Sequence, residues 1–188
     1  GSFSEREDAV VEILRTVGLT PPENYMSRYP HEISGGQRQR VSIARTLVMK
    51  PKFVVCDEPT SMLDVSIRIS IMDLMLNLAK ELDVSYLYIT HDLAVARYMC
   101  NRIAVMFNGK IVEIAETEEL LNNPIHPYTK RLISSIPIPD PSYKRERYEM
   151  NFDELDNIIQ NNPNEKMVNI GSEHFVATHE TKDFFIES

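Results

Sequence analysis

The chain has 188 residues, 43% of them hydrophobic, with 20 basic and 28 acidic side chains and a net charge of −8. Nine acidic and two basic residues fall between Tyr148 and Ser188, so the body is near neutral and the tail acidic, and neither offers the basic face that nucleic acid requires. No apolar stretch approaches the ~20 residues that cross a bilayer, and two cysteines, Cys56 and Cys100, predict buried thiols in a reducing compartment rather than a disulfide framework.

In chain order, Gly1-Ser2 reads as a cleavage scar and is set aside. Ser4 and Glu7 have capping-box spacing, and Ala9, Val10, Ile13, Leu14 and Val17 form one helical stripe that Gly18 stops. Pro21-Pro22 begins a loop, and a short segment leads to Pro30. A helix is predicted from about Gly36 to Met49, with Val41, Ala44, Leu47 and Val48 facing inward, ended by Pro51. Phe53-Val54-Val55-Cys56 is wholly apolar, like a strand buried on both faces of a parallel sheet. A helix from about Val65 to Leu82, a strand from Val84 to Thr90 and a helix from Asp92 to about Cys100 follow. Strands alternating with helices of this length imply right-handed crossovers and an α/β fold.

Arg102 to Phe107 and Lys110 to Ala115 flank Asn108-Gly109, a strong hairpin signal. Thr117 to Leu121 reads as a short helix broken by Asn122-Asn123-Pro124, and another runs from Pro127 to about Ser135. Pro137, Pro139 and Pro141 mark a linker. Beyond it, Phe152, Leu155, Ile158 and Ile159 would share one face of a short helix, and Phe175-Val176 and Phe184-Phe185-Ile186 form further apolar clusters.

Three places carry chemistry. Asp57-Glu58 closes an apolar strand, where open α/β sheets bind their ligands. An aspartate there can hold Mg²⁺ through water, and the next residue, pointing elsewhere, can polarise an attacking water. Ser34-Gly35-Gly36-Gln37 opens a helix whose free N–H groups and dipole attract phosphate. Arg38 and Arg40 read as a solvated face that can add positive field. His91 ends the second strand and can bond a phosphate oxygen. Each also has an ordinary reading: a polar strand end before Pro59, a serine N-cap, a surface histidine. His31, His126, His174 and His179 have no metal-ligand spacing. The lysine-bearing phosphate loop, Gly-x-x-x-x-Gly-Lys-Ser/Thr, is missing: the one Gly-Lys pair, Gly109-Lys110, is followed by Ile111, with Ala104 at the first glycine position.

Taken in order, Ser34-Gly35-Gly36-Gln37-Arg38-Gln39-Arg40, Asp57-Glu58-Pro59-Thr60, Ser61-Met62-Leu63-Asp64 and Thr90-His91-Asp92 resemble the ATP-binding-cassette (ABC) ATPases over roughly Tyr29 to Ala115. They look like the signature motif (with Ile33 where leucine is commoner), the Walker B strand with its catalytic glutamate, the D-loop and the switch histidine. In that family two nucleotide-binding domains sandwich ATP head to tail. The resemblance implies that Ser34, Gly35, Gly36 and Gln37 contact the γ-phosphate of ATP on a partner subunit. Asp57, Glu58 and His91 would serve their own subunit's nucleotide as Mg²⁺ partner, general base and γ-phosphate sensor, and Asp64 would face the partner.

Asn122-Asn123-Pro124-Ile125-His126-Pro127-Tyr128-Thr129, continuing through Leu132 to Pro137, resembles the C-terminal extension of oligopeptide and dipeptide importer ATPases, shared by nickel importers. With no cysteine after Cys100, no iron–sulfur cluster is expected. The implied architecture has a helical-subdomain remnant with the signature helix over 3–50, an α/β core with a hairpin over 51–121, and the extension with an acidic tail over 122–188. The implied protein lies peripherally on the cytoplasmic face of the membrane. Its partners would be a second ATPase subunit, permease subunits and, indirectly, an extracytoplasmic peptide-binding protein, with no nucleic acid. Without the lysine loop the chain alone is expected to be inactive, and its open sheet edges to favour self-association. The alternatives are a soluble cassette ATPase of DNA repair or translation, for which coiled-coil and basic features are missing, and a non-catalytic docking module.

Overall fold

The computed structural model describes residues 3–136, 157 and 166–178, which form two compact units divided after His91. The first contains α1 (Phe3–Thr16), α2 (Glu23–Met26), a 3₁₀ turn (Pro30–Glu32), α3 (Gly35–Leu47), β1 (Phe53–Asp57), α4 (Val65–Leu82) and β2 (Ser85–Ile89). Because α1 already includes Phe3, Ser4 lies inside the helix and does not cap it, contrary to the capping-box expectation.

Strands β1 and β2 pair in parallel, with Phe53 opposite Ser85 and Asp57 opposite Ile89, joined through α4. Leu14, Val17, Leu19, Ala44, Leu47, Leu78 and Val84 form the core, with Val54 and Tyr86 of the sheet packed against it. Burying each leucine contributes about 2 kcal/mol. The other sheet face is open: Phe53, Val55, Leu87 and Ile89 are 58%, 55%, 49% and 45% exposed. The strand expected to be buried on both faces is therefore covered on one, because the core side chains meet only the Val54/Tyr86 side.

The second unit holds α5 (Leu93–Met99), β3 (Arg102–Phe107), β4 (Lys110–Glu116), α6 (Thr117–Asn122), α7 (Pro127–Ser134), β5 (Lys166–Asn169) and β6 (Phe175–Thr178). Its sheet runs β3-β4-β6-β5, antiparallel throughout. Asn108 and Gly109 take φ of 45° and 79°, the left-handed pair that a two-residue hairpin turn requires. Gly109-Lys110 is thus a hairpin turn, which no helix follows. The predicted Phe152–Ile159 helix, the Pro137–Pro141 linker and the Phe184 cluster lie outside the described residues, apart from Asn157.

The β5–β6 hairpin escaped sequence reasoning, since all four β5 residues are exposed and show no apolar alternation. It is tied down by pairing of β6 with β4, by burial of Val176 and Ala177, and by a polar contact. The fully buried Glu113 carboxylate accepts from the Ile125 N–H at 2.8 Å and the His126 N–H at 3.1 Å. It also bonds His174 Nε2 at 2.7 Å, and His174 is only 2% exposed. On the other side, His174 Nδ1 lies 3.5 Å from Glu119. One carboxylate therefore joins β4, the turn entering α7 and the hairpin. Glu113→Gln turns an amide NH₂ onto a group that already donates, a mismatch expected to cost about 3 kcal/mol. Urea unfolding checks this, and a change below about 1 kcal/mol would show that the carboxylate is not the tie.

Candidate functional site

Helix α3 begins with a reciprocal cap. Ser34 Oγ accepts the Gln37 N–H at 3.3 Å, and Gln37 Oε1 accepts the Ser34 N–H at 2.9 Å. The N–H groups of Gly35 and Gly36 remain first-turn donors without an intrahelical acceptor, the usual seat for an anion.

The two glycines differ in a way that the sequence does not reveal. A Cβ on Gly36 would lie 2.8 Å from Ile67 Cγ2, so this glycine lets α3 pack against α4. At Gly35 a Cβ would meet nothing closer than Leu63 at 3.6 Å, an ordinary contact, and φ is not positive. Among the described residues nothing demands a glycine there.

At the end of β1, Asp57 is exposed and its carboxylate has no protein partner among the described residues. Glu58 takes φ of 43°, the left-handed region, which costs a non-glycine residue about 1–2 kcal/mol. Its N–H donates to Ile89 O at 3.0 Å, and its carbonyl accepts from Ser61 N–H and Oγ at 3.3 and 3.0 Å. So held, its carboxylate meets His91 Nδ1 at 2.7 Å, with both side chains accessible to solvent. The strain is spent on placing a carboxylate and an imidazole together at the strand ends. Asp64 serves as N-cap of α4, accepting from the Ile67 N–H at 3.1 Å and from Ser66 Oγ at 2.9 Å. Those two bonds, the Ile67 N–H foremost, hold its carboxyl below the usual range.

A cleft of about 470 Å³ is lined by Gly35 and Arg38 of α3, Asp57 and Glu58 at the end of β1, and Met62 and Leu63 of the turn after it. Gly35, Asp57 and Glu58 are thus brought together, whereas Ser34, Gly36, Gln37, Asp64 and His91 do not line it. Cys56 and Tyr86, on the cleft's inner wall, are poor proton donors: burial pushes the thiol up to about 11 and the phenol to about 12, the latter helped by Cys56. Both cysteines are free and half-buried.

Arg38 is exposed, as expected of a solvated face, and Arg40 is half-buried, but both also bond backbone carbonyls. Arg38 Nη1 donates to Ile33 O at 2.8 Å and Pro30 O at 3.3 Å. Arg40 donates to Val17 O at 2.6 Å, just past the C-terminus of α1, and to Ser70 Oγ at 3.0 Å. Carbonyls left over at chain turns and helix ends attract cations. Tyr25, which no sequence signal marked, accepts from Gln37 Nε2 at 3.4 Å.

Residues 3–61 match the family model described as ABC transporter, and residues 112–167 match that described as oligopeptide/dipeptide transporter, C-terminal region. The chain is 56% identical over 143 residues to the oligopeptide transport ATP-binding protein AmiF of Streptococcus pneumoniae, covering 76% of the chain and 46% of that protein. It is 46% identical over 178 residues to OppF of Bacillus subtilis, also an oligopeptide transport ATP-binding protein, covering 95% and 58%. To the dipeptide transport ATP-binding protein DppF of Lactococcus lactis it is 47% identical over 182 residues, covering 95% and 56%. The chain thus spans about half the length of the curated relatives it matches. Among solved structures it is similar to cbiO1 of Clostridium perfringens, part of an ABC transporter complex (TM-score 0.59, 31% identity, 65% of this chain and 48% of that one). It is also similar to the ATP-binding cassette MJ1267 in its ADP conformation (TM-score 0.56, 29% identity, 66% and 48%).

The division between the glycines is directly testable. Gly36→Ala is expected to lower stability by about 1–3 kcal/mol through overpacking against Ile67. Gly35→Ala, with room for its methyl, should unfold within about 0.5 kcal/mol of the parent. Thermal and denaturant melts of the two variants decide it, and equal destabilisation would refute the division.

Proposed function

We propose that the chain is a member of the ABC transporter family and is the signature-to-C-terminal part of an ATPase subunit that drives import of oligopeptides or dipeptides. The observation that carries the catalytic reading is Glu58. A carboxylate on a left-handed backbone, 2.7 Å from an imidazole at the neighbouring strand end, supports the reading of Glu58 as general base with His91 as its orienter. Glu58 polarises the attacking water. His91 steadies that carboxylate and reports the γ-phosphate. The unpartnered carboxylate of Asp57 is a hard oxygen donor that fits Mg²⁺ held through water, which would offset phosphate charge. The orphan N–H groups beside Ser34, and the open side of Gly35, receive the γ-phosphate of a nucleotide carried by a second subunit. Asp64, at the start of α4, faces that subunit.

The open apolar face of Phe53, Val55, Leu87 and Ile89 supports a further part of the reading: in the whole subunit, the portion bearing the lysine loop packs there. No described helix is long and apolar enough to cross a membrane. In this reading the subunit docks on permease subunits, with an extracytoplasmic peptide-binding protein delivering cargo. The turn and helix from Asn122 to Ser134, within the matched C-terminal region, are held by Glu113 and packed through Ile133, which supports a structural role for them.

One observation favours a second reading. Gly35 and Glu58 line the same cleft of one chain, so signature and carboxylates could serve one nucleotide. Mixing full-length subunits that carry Ser34→Arg with others that carry Glu58→Gln separates the two. Where two copies of the subunit pair with each other, a signature that works across subunits gives each mixed dimer one intact site, and turnover returns to about a quarter of the parent level, given random pairing. If it works within one chain, the mixture stays as inactive as either variant alone. The chain by itself should neither bind nor hydrolyse Mg-ATP; Glu58-dependent turnover by it alone would overturn the assignment of the phosphate cradle to another part of the subunit.

A further inference from the structure

The peptide group between Ile33 and Ser34 is gripped at both ends by side chains from the first turns of the helix it introduces. Its carbonyl, Ile33 C=O, accepts from Arg38 Nη1 at 2.8 Å. Its N–H, on Ser34, donates to Gln37 Oε1 at 2.9 Å. Both grips are themselves anchored. The same Arg38 nitrogen reaches Pro30 O at 3.3 Å, and the Gln37 amide is oriented by its donation to Tyr25 at 3.4 Å.

We propose that Arg38 and Gln37 form a peptide clamp that fixes the plane of the Ile33–Ser34 peptide, and that they are positioning residues for Ser34 and Gly35. This inference rests on the phosphate-facing role proposed above for those two residues. A single peptide group can rotate by opposed changes in the ψ before it and the φ after it, with little movement of its neighbours. Such a rotation would swing the Ile33 carbonyl dipole about the entry to α3 and release Ser34 from its cap. It would disturb the set of donors that an anion meets there. The clamp opposes it from both ends.

Electrostatics argues the same way. A cation in the opening turns of a helix is disfavoured by the helix dipole, and the first turn of α3 holds no acidic residue to offset it. Arg38 nevertheless sits there, with its guanidinium turned back onto the carbonyls that precede the helix. One guanidinium nitrogen serves both acceptors through N–H bonds fixed in the guanidinium plane, whereas a lysine ammonium rotates freely. The division of labour follows: Gly36 admits α4, Gly35 leaves an open approach, and Arg38 with Gln37 sets the angle at which that approach presents its donors.

The test has two readouts. In this chain, amide hydrogen exchange at Ser34 and Gln37 should speed up at least about fivefold in Arg38→Ala, the scale of one lost charge-assisted bond at an exposed site. Arg38→Lys, which can still reach Ile33 O, should fall between parent and alanine. In the full-length subunit, Arg38→Ala should lower kcat with KM for Mg-ATP within about twofold, as expected of transition-state positioning and not of general destabilisation. Unchanged exchange at Ser34 and Gln37 would overturn the clamp. Faster exchange with unchanged turnover would overturn its positioning role. If the unsubstituted subunit does not turn over ATP at all, the ATPase reading falls, and the exchange result still decides the clamp.

Discussion

The strand-end groups of the candidate site, Asp57, Glu58 and His91, take their places from the register of β1 against β2. Asp57 lies opposite Ile89, and one step further the Glu58 N–H reaches back to the Ile89 carbonyl, so the ladder continues one bond beyond the strand. Directly after that bond Glu58 turns into the left-handed region. The same turn ends pleating, starts the loop closed by Ser61 and brings the carboxylate to His91. A slip of one residue would send Asp57 to the covered face and Glu58 to the open one. The register is held chiefly by packing: Val54 and Tyr86, adjacent across the pair, sit on the buried core.

Much of this was legible in the residues themselves. The boundaries of α4 and β3 are those that periodicity predicts, and the Asn108-Gly109 turn is as its composition requires. Strand-end acids, a serine cap and a strand-end histidine are local signals, readable from a few consecutive residues. What stayed hidden depends on contacts between segments far apart in sequence. Nothing in the letters distinguishes Gly35 from Gly36, since the difference lies in Ile67. Arg40 looks like any surface arginine until the carbonyl of Val17 is placed beside it. Glu113 and His174 are 61 positions apart, and neither an acid on a strand nor a histidine in a turn signals a buried pair.

These hidden contacts share a physical character. Arg38, Arg40, Gln37 and Glu113 each satisfy backbone groups that regular structure leaves unpaired: the entry to α3, the end of α1 and the turn before α7. A buried or half-buried carbonyl or N–H without a partner costs about 1–3 kcal/mol, so such groups recruit the nearest suitable side chain. Sequence patterns locate helices and strands through their apolar faces. They do not locate the partners of the polar remainder, and functional loops are built from that remainder.

The open face of the β1–β2 pair bears on how firmly the site is held. Parallel strands normally gain their stability from cover on both sides, and here four apolar side chains remain about half exposed on one side. A two-stranded parallel pair with a single covered face has little to spare against the strain at Glu58, which favours any local rearrangement that relaxes φ at that residue. Covering the face would bury Phe53, Val55, Leu87 and Ile89, adding roughly 1 kcal/mol for each half-exposed side chain. That sum is comparable to or larger than the cost of holding Glu58 in the left-handed region. The geometry of Glu58 is therefore energetically tied to whatever covers the sheet. Cover over this face and alignment of the Glu58 carboxylate become parts of one equilibrium.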